Sequence, residues 1–198
     1  PNLLKDNIIR FIKISKLFVP HFHIPLQSGS DKILKKMKRR YLSSLYFERI
    51  NLIKELMPNA CIGADVIVGF PYETENDFND TVNFILNSPI DYLHVFVFSE
   101  RDNTSANSME NSVPINKRNE RAKVLRNLSL RKKRAFYESQ IGKWGLVLFE
   151  DENKKGYLNG YTENYIKIRR PWDPNLSNKI CKVKYSKIDE DGYMRVEN

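Results

Sequence analysis

The stretch IGADVIVGFPYET, Ile62 to Thr74, decides the fold, because it is an apolar run that holds one carboxylate and ends in Gly69-Phe70-Pro71. A run of this kind is typical of a strand buried on both faces of a parallel sheet. Side chains alternate along a strand, so Asp65, Ile67 and Gly69 share one face. A buried charge is costly unless something binds it, and α/β folds bind ligands at strand carboxyl ends. The stretch therefore predicts an α/β fold and a candidate site.

The composition is that of an ordinary globular chain with a strong basic surplus. The 198 residues carry a net charge of +9 and a pI of about 9.4. Such a surplus favours a polyanionic partner, most often nucleic acid, although it also serves simply to keep a protein in solution. No apolar run approaches the roughly 20 residues of a membrane helix, and no signal peptide is predicted in this sequence.

The two cysteines predict neither a disulfide framework nor a zinc site. Cys61 and Cys181 lie far apart in the chain and form no CxxC pair. This usage fits a cytoplasmic location. The chain begins at Pro1, without a methionine, and almost at once enters a helical pattern, so a fragment of a longer protein is expected.

The first 140 residues alternate strand and helix three times, which predicts a parallel α/β sheet with right-handed crossovers. Strands are predicted at Val19–Gln27, within the central stretch, and at Ile90–Phe98. Three strands cannot close a barrel, so about three βα units of a partial (β/α) barrel are expected. The predicted helices are Leu3–Phe18, Lys32–Arg40, Ser44–Met57, one that starts at a Thr74–Asp77 capping box, and Asn116–Ser139.

The pattern changes near Gly142, so two domains are predicted, at residues 1–140 and 141–198. The second is expected to be a small antiparallel barrel with five short strands, and in two of them the faces separate cleanly. Ile166 and Ile168 oppose Tyr165, Lys167 and Arg169, and cations with interleaved aromatic rings are typical of an RNA-binding face. The predicted strands are Trp144–Glu150, Gly156–Tyr161, Asn164–Arg169, Asn178–Tyr185 and Gly192–Val196.

Three stretches carry a resemblance to a known family. They are HFHIPLQSGSDKILKKMKRRY (His21 to Tyr41), DVIVGFPYETENDF (Asp65 to Phe78) and LHVFVFSERDNTSA (Leu93 to Ala106). Together they resemble the C-terminal half of a radical S-adenosylmethionine (SAM) methylthiotransferase. The terminal barrel resembles the OB-like TRAM domain that ends those enzymes. The resemblance implies a transferase that modifies tRNA next to the anticodon, with the anticodon stem-loop as its partner.

Within the family, the chain is most similar to the branch that inserts a methylthio group at C2 of N6-threonylcarbamoyladenosine at tRNA position 37. The similarity lies in four runs: His23-Ile24-Pro25, Gln27-Ser28-Gly29-Ser30, Met37–Tyr41 and Leu93-His94-Val95-Phe96. Isopentenyladenosine in tRNA and a ribosomal protein remain open as acceptors. A non-catalytic RNA-binding module is the alternative from another class of protein.

The resemblance implies S-adenosylmethionine and [4Fe–4S] clusters as cofactors, but the cluster cysteines are absent from this sequence. Family enzymes carry a CxxxCxxC loop and three further cysteines, so the clusters are expected only in the full-length protein, and these 198 residues should be inactive alone. Two positions depart from the family pattern. Tyr72 replaces the glycine of a GFPGET turn, and Asp102-Asn103 replaces a Pro-Gly pair.

The resemblance places the cofactor-binding residues at the strand ends. Gln27, Ser28 and Ser30 are positioned to hydrogen-bond a ribose or the methionine moiety, although a helix cap also explains Ser30. Asp65 would bind a ribose hydroxyl or order a polar group of a neighbouring strand. The expected set is Gln27, Ser28, Ser30, Asp65, Gly69, Phe70, Ser99 and Arg101.

The histidines are not predicted to hold a metal. His21 and His23 share one strand face, but no third ligand follows at a recognisable spacing, so they are expected to line a substrate cavity. His94 lies between aromatic neighbours and is expected to be a hydrogen-bonded core histidine.

The expected RNA contacts combine aromatic and basic side chains, with a solvated charged face as the alternative interpretation. Tyr165 and Lys167 are central to this prediction. The substrate and RNA set is His21, His23, Lys143, Lys154, Lys155, Tyr165, Lys167, Arg169 and Arg170.

Overall fold

A computed structural model describes residues 1–100 and 109–197, and its first layer is a three-stranded parallel sheet. Strand β1 (His21–His23) pairs with β2 (Cys61–Val68), and β2 pairs with β3 (Tyr92–Val97), in the order β1-β2-β3. This arrangement confirms the predicted α/β class. Three positions of the sequence analysis, Arg101 and Asp102-Asn103, lie outside the described residues.

Strand β1 is much shorter than the predicted Val19–Gln27 because prolines flank it. Pro20 and Pro25 have no N–H to donate to a ladder, so regular pairing covers three residues. The chain returns to the sheet at Gln27, which bridges to Val66 in parallel.

Five helices accompany the sheet in the described part of the chain: one precedes it, three lie between its strands and one follows it. The Thr74 hydroxyl accepts from the Asp77 N–H, and the Asp77 carboxylate accepts from the Thr74 N–H, so the predicted capping box is confirmed. The first helix is shorter than predicted, because the backbone is already extended at Ser15. The helices are α1 (Asp6–Ile14), α2 (Asp31–Lys36), α3 (Ser43–Leu56), α4 (Glu75–Asn87) and α5 (Ile115–Glu138).

The two faces of the sheet differ sharply. One face packs against the helices and forms the main core, in which Ile62, Val66 and Leu93 are buried beside Ile50 and Leu125. The other face, here called the polar face, is lined by His21, His23, Gly63, Asp65, Tyr92 and His94. The division follows from the alternation of side chains along each strand, which also places Ile67 and Phe96 on the polar face.

A closed five-stranded barrel follows α5. The strands run in the order β4-β5-β6-β8-β7, and neighbours pair antiparallel except β6 and β8, which are parallel at Ile168 and Met194. The predicted small five-stranded barrel is confirmed, and its one parallel pair is the exception to antiparallel pairing that a closed ring with an odd number of strands requires. The strands are β4 (Trp144–Lys154), β5 (Tyr157–Thr162), β6 (Lys167–Pro171), β7 (Ile180–Ile188) and β8 (Met194–Glu197), with a 3₁₀ helix at Pro174–Leu176.

Helix α5 joins the sheet to the barrel. The Ser129 hydroxyl bonds both the N–H and the carbonyl of Leu93 on the outer edge of β3, at 2.8 and 3.1 Å. Nearer the helix end, the Tyr137 hydroxyl accepts from the N–H of Lys167 at 2.9 Å. Within the described ranges, no helix is both long and apolar enough to cross a membrane.

Candidate functional site: the polar sheet face and the barrel junction

The serines predicted to bind a cofactor hold the β1–α2 loop against α4. The Ser28 hydroxyl lies 3.2 Å from that of Thr81 and accepts from the Ser30 N–H, while the Ser30 hydroxyl donates to Asp77 at 3.0 Å. Ser30 is the N-cap residue of α2, as predicted, but its side chain makes no cap bond and donates to Asp77 instead. Both side chains are buried, and a contact with S-adenosylmethionine stays a prediction.

Gln27 is held in an unusual backbone conformation at the carboxyl end of β1. Its φ is 70°, and its N–H donates to the Asp65 carbonyl at 2.7 Å. The side-chain carbonyl accepts from Arg39 at 3.0 Å. A left-handed conformation is costly for a residue other than glycine, so these contacts must hold Gln27 in place, and its role in cofactor binding stays a prediction.

The turn after β2 is built around a buried ion pair that the sequence analysis missed. The Gly69 N–H and Arg121 both donate to the same Glu73 oxygen, each at 2.7 Å. Burial raises the pKa of Glu73, while the Gly69 N–H and Arg121 oppose that shift. Phe70 packs edge-on against Phe98, with the ring centres 5.3 Å apart. Ser99 is exposed just beyond β3.

The polar face carries a hydrogen-bonded row of side chains. The Tyr92 hydroxyl lies 2.9 Å from His21 Nε2 and 3.4 Å from His23 Nδ1, and His23 Nε2 lies 2.7 Å from Asp65 Oδ1. His94 Nδ1 lies 3.5 Å from that same oxygen. The row confirms that Asp65 engages a neighbouring strand. Because the His94 side chain is 56% exposed, its prediction as a core histidine is wrong.

Gly63 makes the row possible. A Cβ at this position would lie 2.2 Å from the Tyr92 ring, so the phenol can cross the sheet face only because residue 63 has no side chain. The sequence offered a signal for this contact: a glycine inside an otherwise apolar strand often marks a close approach by a neighbour.

The barrel meets the row through a stack of aromatic rings. His21 and Tyr165 lie parallel with centres 4.2 Å apart, and Tyr165 stacks in turn on Tyr161 at 4.9 Å. The Lys167 ammonium lies 5.8 Å from the Tyr161 ring centre. Burial, with the charge of His23, lowers the pKa of His21, so its imidazole is neutral at pH 7. The structure therefore brings together His21, Tyr165 and Lys167.

A cavity of about 340 Å³ opens beside this stack, between β3, α5 and the barrel. Burial, with the charge of Lys167, lowers the pKa of Lys133. Burial likewise raises the pKa of the Cys61 thiol and of the Tyr137 phenol, so both are neutral at pH 7. The cavity is lined by aromatic rings, by the side chains of Lys133 and Lys167 and by the carboxylate of Asp91.

The other predicted RNA contacts are spread over the barrel and several are paired within it. Arg169 forms an ion pair with Asp191 at 2.5 Å and lies 3.6 Å from the Tyr193 ring centre. Lys154 pairs with Glu152 at 3.0 Å, and Lys143 donates to Asn59 at 2.8 Å. The remaining two are Lys155, exposed in the β4–β5 turn, and Arg170, half-buried on β6.

The residues present do not fit a [4Fe–4S] cluster. Such clusters are held by several cysteine thiolates, and the sequence has two cysteines, Cys61 on β2 and Cys181 on β7. The first is buried in the junction and the second lies in the barrel wall. No step of cluster chemistry is derived from this chain.

Comparison with known proteins gives the class of the chain. Residues 2–85 match the model of the radical SAM superfamily. The resemblance to radical SAM proteins is thereby confirmed.

Individual similar proteins indicate a narrower group within this superfamily. The chain is 40% identical over 167 residues to the threonylcarbamoyladenosine tRNA methylthiotransferase MtaB of Aquifex aeolicus, covering 84% of this chain and 40% of that protein. It is 38% identical over 202 residues to MtaB of Bacillus subtilis, covering 98% and 45%. It is 36% identical over 168 residues to the tRNA-2-methylthio-N(6)-dimethylallyladenosine synthase of Symbiobacterium thermophilum, covering 84% and 36%. The chain is a relative of the radical SAM methylthiotransferases and spans less than half the length of each.

Proposed function

We propose that the chain is the C-terminal part of a tRNA methylthiotransferase that modifies C2 of N6-threonylcarbamoyladenosine at position 37. In this proposal residues 1–140 form one wall of the radical SAM barrel, residues 141–198 bind RNA, and the protein works in the cytoplasm. The observation that carries the proposal is the aromatic stack of His21, Tyr165 and Tyr161. The stack connects two features: the barrel surface, whose aromatic rings and cations are typical of RNA-binding proteins, and the row of hydrogen-bonded side chains on the polar face, which runs toward the strand ends.

The physical basis is the match between this surface and an unpaired nucleotide. Bases of single-stranded or looped RNA stack on aromatic rings, and lysines beside the rings attract the phosphates. The rim of the stack carries such lysines at Lys133 and Lys167. An anticodon loop supplies bases of this kind, whereas a protein acceptor does not.

Catalysis by the family needs groups that this chain does not hold. When bound in the whole enzyme, S-adenosylmethionine and the iron–sulfur cluster supply the radical and methyl chemistry. The role proposed for these 198 residues is to bind and orient the RNA and to form one wall of the reaction cavity. Gln27, Asp65 and Ser99 are proposed to line that wall, and the chain alone is expected to be inactive.

The decisive experiment measures binding of a fluorescent tRNA anticodon stem-loop across a salt series. Lys167→Ala should weaken binding and reduce the slope of log K against log salt by about 1, the value for one lost phosphate contact. Tyr165→Ala should also weaken binding, because Tyr165 holds the His21 and Tyr161 rings in the stack against which a base would lie. Lys13→Ala, on α1, is the matched charge control and should leave binding unchanged.

The acceptor is tested with three stem-loops that carry adenosine, isopentenyladenosine or N6-threonylcarbamoyladenosine at position 37. The proposal expects the tightest binding for the threonylcarbamoyl form. Tighter binding of the isopentenyl form would instead favour the specificity named for the Symbiobacterium relative. If no stem-loop binds at low salt, the proposal fails and a ribosomal protein becomes the better acceptor.

A further inference from the structure

We propose that His23, Asp65 and His94 form a binding site for a divalent transition-metal ion, with zinc as the ion expected. The site lies on the polar face, where one potential ligand comes from each of three adjacent strands. It is separate from the cysteine-bound clusters of the family, and the proposal does not depend on RNA binding.

The distances suit such a site. The potential ligand atoms, His23 Nε2, an Asp65 carboxylate oxygen and His94 Nδ1, all lie within 4.8 Å of one another. Ligand atoms of a tetrahedral zinc ion, each about 2.0–2.2 Å from the metal, are separated by about 3.3–3.5 Å. The 3.5 Å between His94 Nδ1 and Asp65 Oδ1 already has this value. The 2.7 Å between His23 and Asp65 must widen by a side-chain rotation when the metal replaces their shared proton.

The hydrogen bonds around His23 suit the replacement of its Nε2 proton by a metal ion. A histidine ligand normally bonds its second ring nitrogen to a neighbouring group, which fixes the ring and its tautomer. The second nitrogen of His23, Nδ1, faces the Tyr92 hydroxyl at 3.4 Å, and that hydroxyl also meets His21 Nε2 at 2.9 Å. When a metal takes Nε2, the His23 proton moves to Nδ1 and donates to Tyr92, whose own proton then turns to His21. The last step requires the tautomer of His21 in which Nε2 carries no proton and can accept from Tyr92.

The choice of ion follows from ligand type and access. Two imidazoles and one carboxylate suit zinc and its neighbours in the first transition series, whereas calcium and magnesium prefer oxygen ligands alone. The side chains are 32%, 22% and 56% exposed for His23, Asp65 and His94, so an ion can enter. Three protein ligands leave a coordination position for water or a substrate atom, as in catalytic rather than structural zinc sites.

The test is a titration of the chelator-treated, tag-free chain with Zn²⁺ by calorimetry and with Co²⁺ by visible absorption. One equivalent should bind, and Co²⁺ should show the strong ligand-field bands of a four- or five-coordinate site. His23→Ala, Asp65→Asn and His94→Ala should each lower the affinity by at least about tenfold, since even the loss of a group that only supports a ligand has such an effect. Circular dichroism of each variant confirms that it is folded.

Two controls make the result decisive. Cys181→Ser removes the more accessible thiol and should bind the metal as the wild type does, whereas His21→Ala removes the third histidine of the sequence, which supports His23 only through Tyr92, and should lose less affinity than any of the three ligand variants. Two histidine hydrogen bonds to one carboxylate would explain the distances without any metal. In that case no stoichiometric binding occurs, or His94→Ala behaves like His21→Ala, and the proposal is overturned.

Discussion

Tyr72 has a backbone conformation that normally belongs to glycine. Its φ is 69°. The family that the chain resembles has glycine at this position. The conformation costs a residue with a Cβ roughly 1–2 kcal/mol. A cation–π contact from Lys36, whose ammonium lies 4.2 Å from the ring centre, offsets part of that cost.

The strain at Tyr72 is measured by comparing two variants that both lose the Lys36 contact. Tyr72→Gly relieves the strained φ, whereas Tyr72→Ala keeps it. We expect the glycine variant to be more stable than the alanine variant by about 1 kcal/mol in urea unfolding, despite the greater freedom of glycine in the unfolded chain. Equal stabilities would show that the turn does not hold residue 72 at positive φ.

Asp77 links two loops through one carboxylate and should make the fold sensitive to acid. Burial alone would raise the pKa of Asp77, but hydrogen bonds from Lys32, Thr74 and Ser30 lower it from 3.8 to about 2. A lowered carboxyl pKa gives stability that is present above the unfolded value and is lost as the pH falls through the folded value. The loss therefore falls between about pH 4 and pH 2 and amounts to about 2 kcal/mol.

Replacing Asp77 should remove this dependence. Asp77→Asn is expected to lower the free energy of unfolding at pH 7 by about 2 kcal/mol and to flatten its profile below pH 4, measured by chemical denaturation at each pH. Asp80→Asn, an exposed carboxylate on the same helix, is the control and should change neither value. A wild-type profile matched by the Asp77→Asn profile would contradict the assignment.

At the scale of the element, Ser129 hydrogen-bonds the outer edge of β3, as a neighbouring strand would do. Its hydroxyl bonds both backbone groups of Leu93 on the outer edge of that strand. Ser129→Ala leaves those two polar groups without that partner and should cost about 1–3 kcal/mol. Ser129→Thr keeps the hydroxyl and is expected to cost less, so the difference between the two variants in urea unfolding measures the bond. Equal losses would mean that Leu93 finds its partner elsewhere.

The elements also show which structural features can be predicted from the sequence. The apolar run of β2 and the Thr74 capping box are local signals, and both predicted the structure correctly. The bonds of Ser30, His94 and Glu73 were missed because their partners lie on other elements, at Asp77, Asp65 and Arg121. Local spacing carries no information on such pairs, which depend on the register of the strands and the packing of the helices.

At the scale of the whole molecule, one edge of the three-stranded sheet is covered and the other is open. Helix α5 covers the outer edge of β3, but among the described residues no strand or side chain pairs in the same way with the outer edge of β1. The segment before β1 is apolar and accessible: Leu17 is 91% exposed, and Ile14, on α1, is 77% exposed. Open strand edges beside exposed apolar side chains promote association between copies of a chain.

The chain should therefore self-associate at this edge. We expect the weight-average sedimentation coefficient to rise with protein concentration, and the rise to shrink in the double variant Ile14→Lys/Leu17→Lys, because the added charges oppose burial of the edge. Ile180→Lys, which changes an apolar residue of the barrel that is 67% exposed, is the control and should behave as the wild type. A monomer at every concentration would show that the open edge is protected, and the interpretation of residues 1–140 as part of an unclosed barrel would lose its main physical consequence.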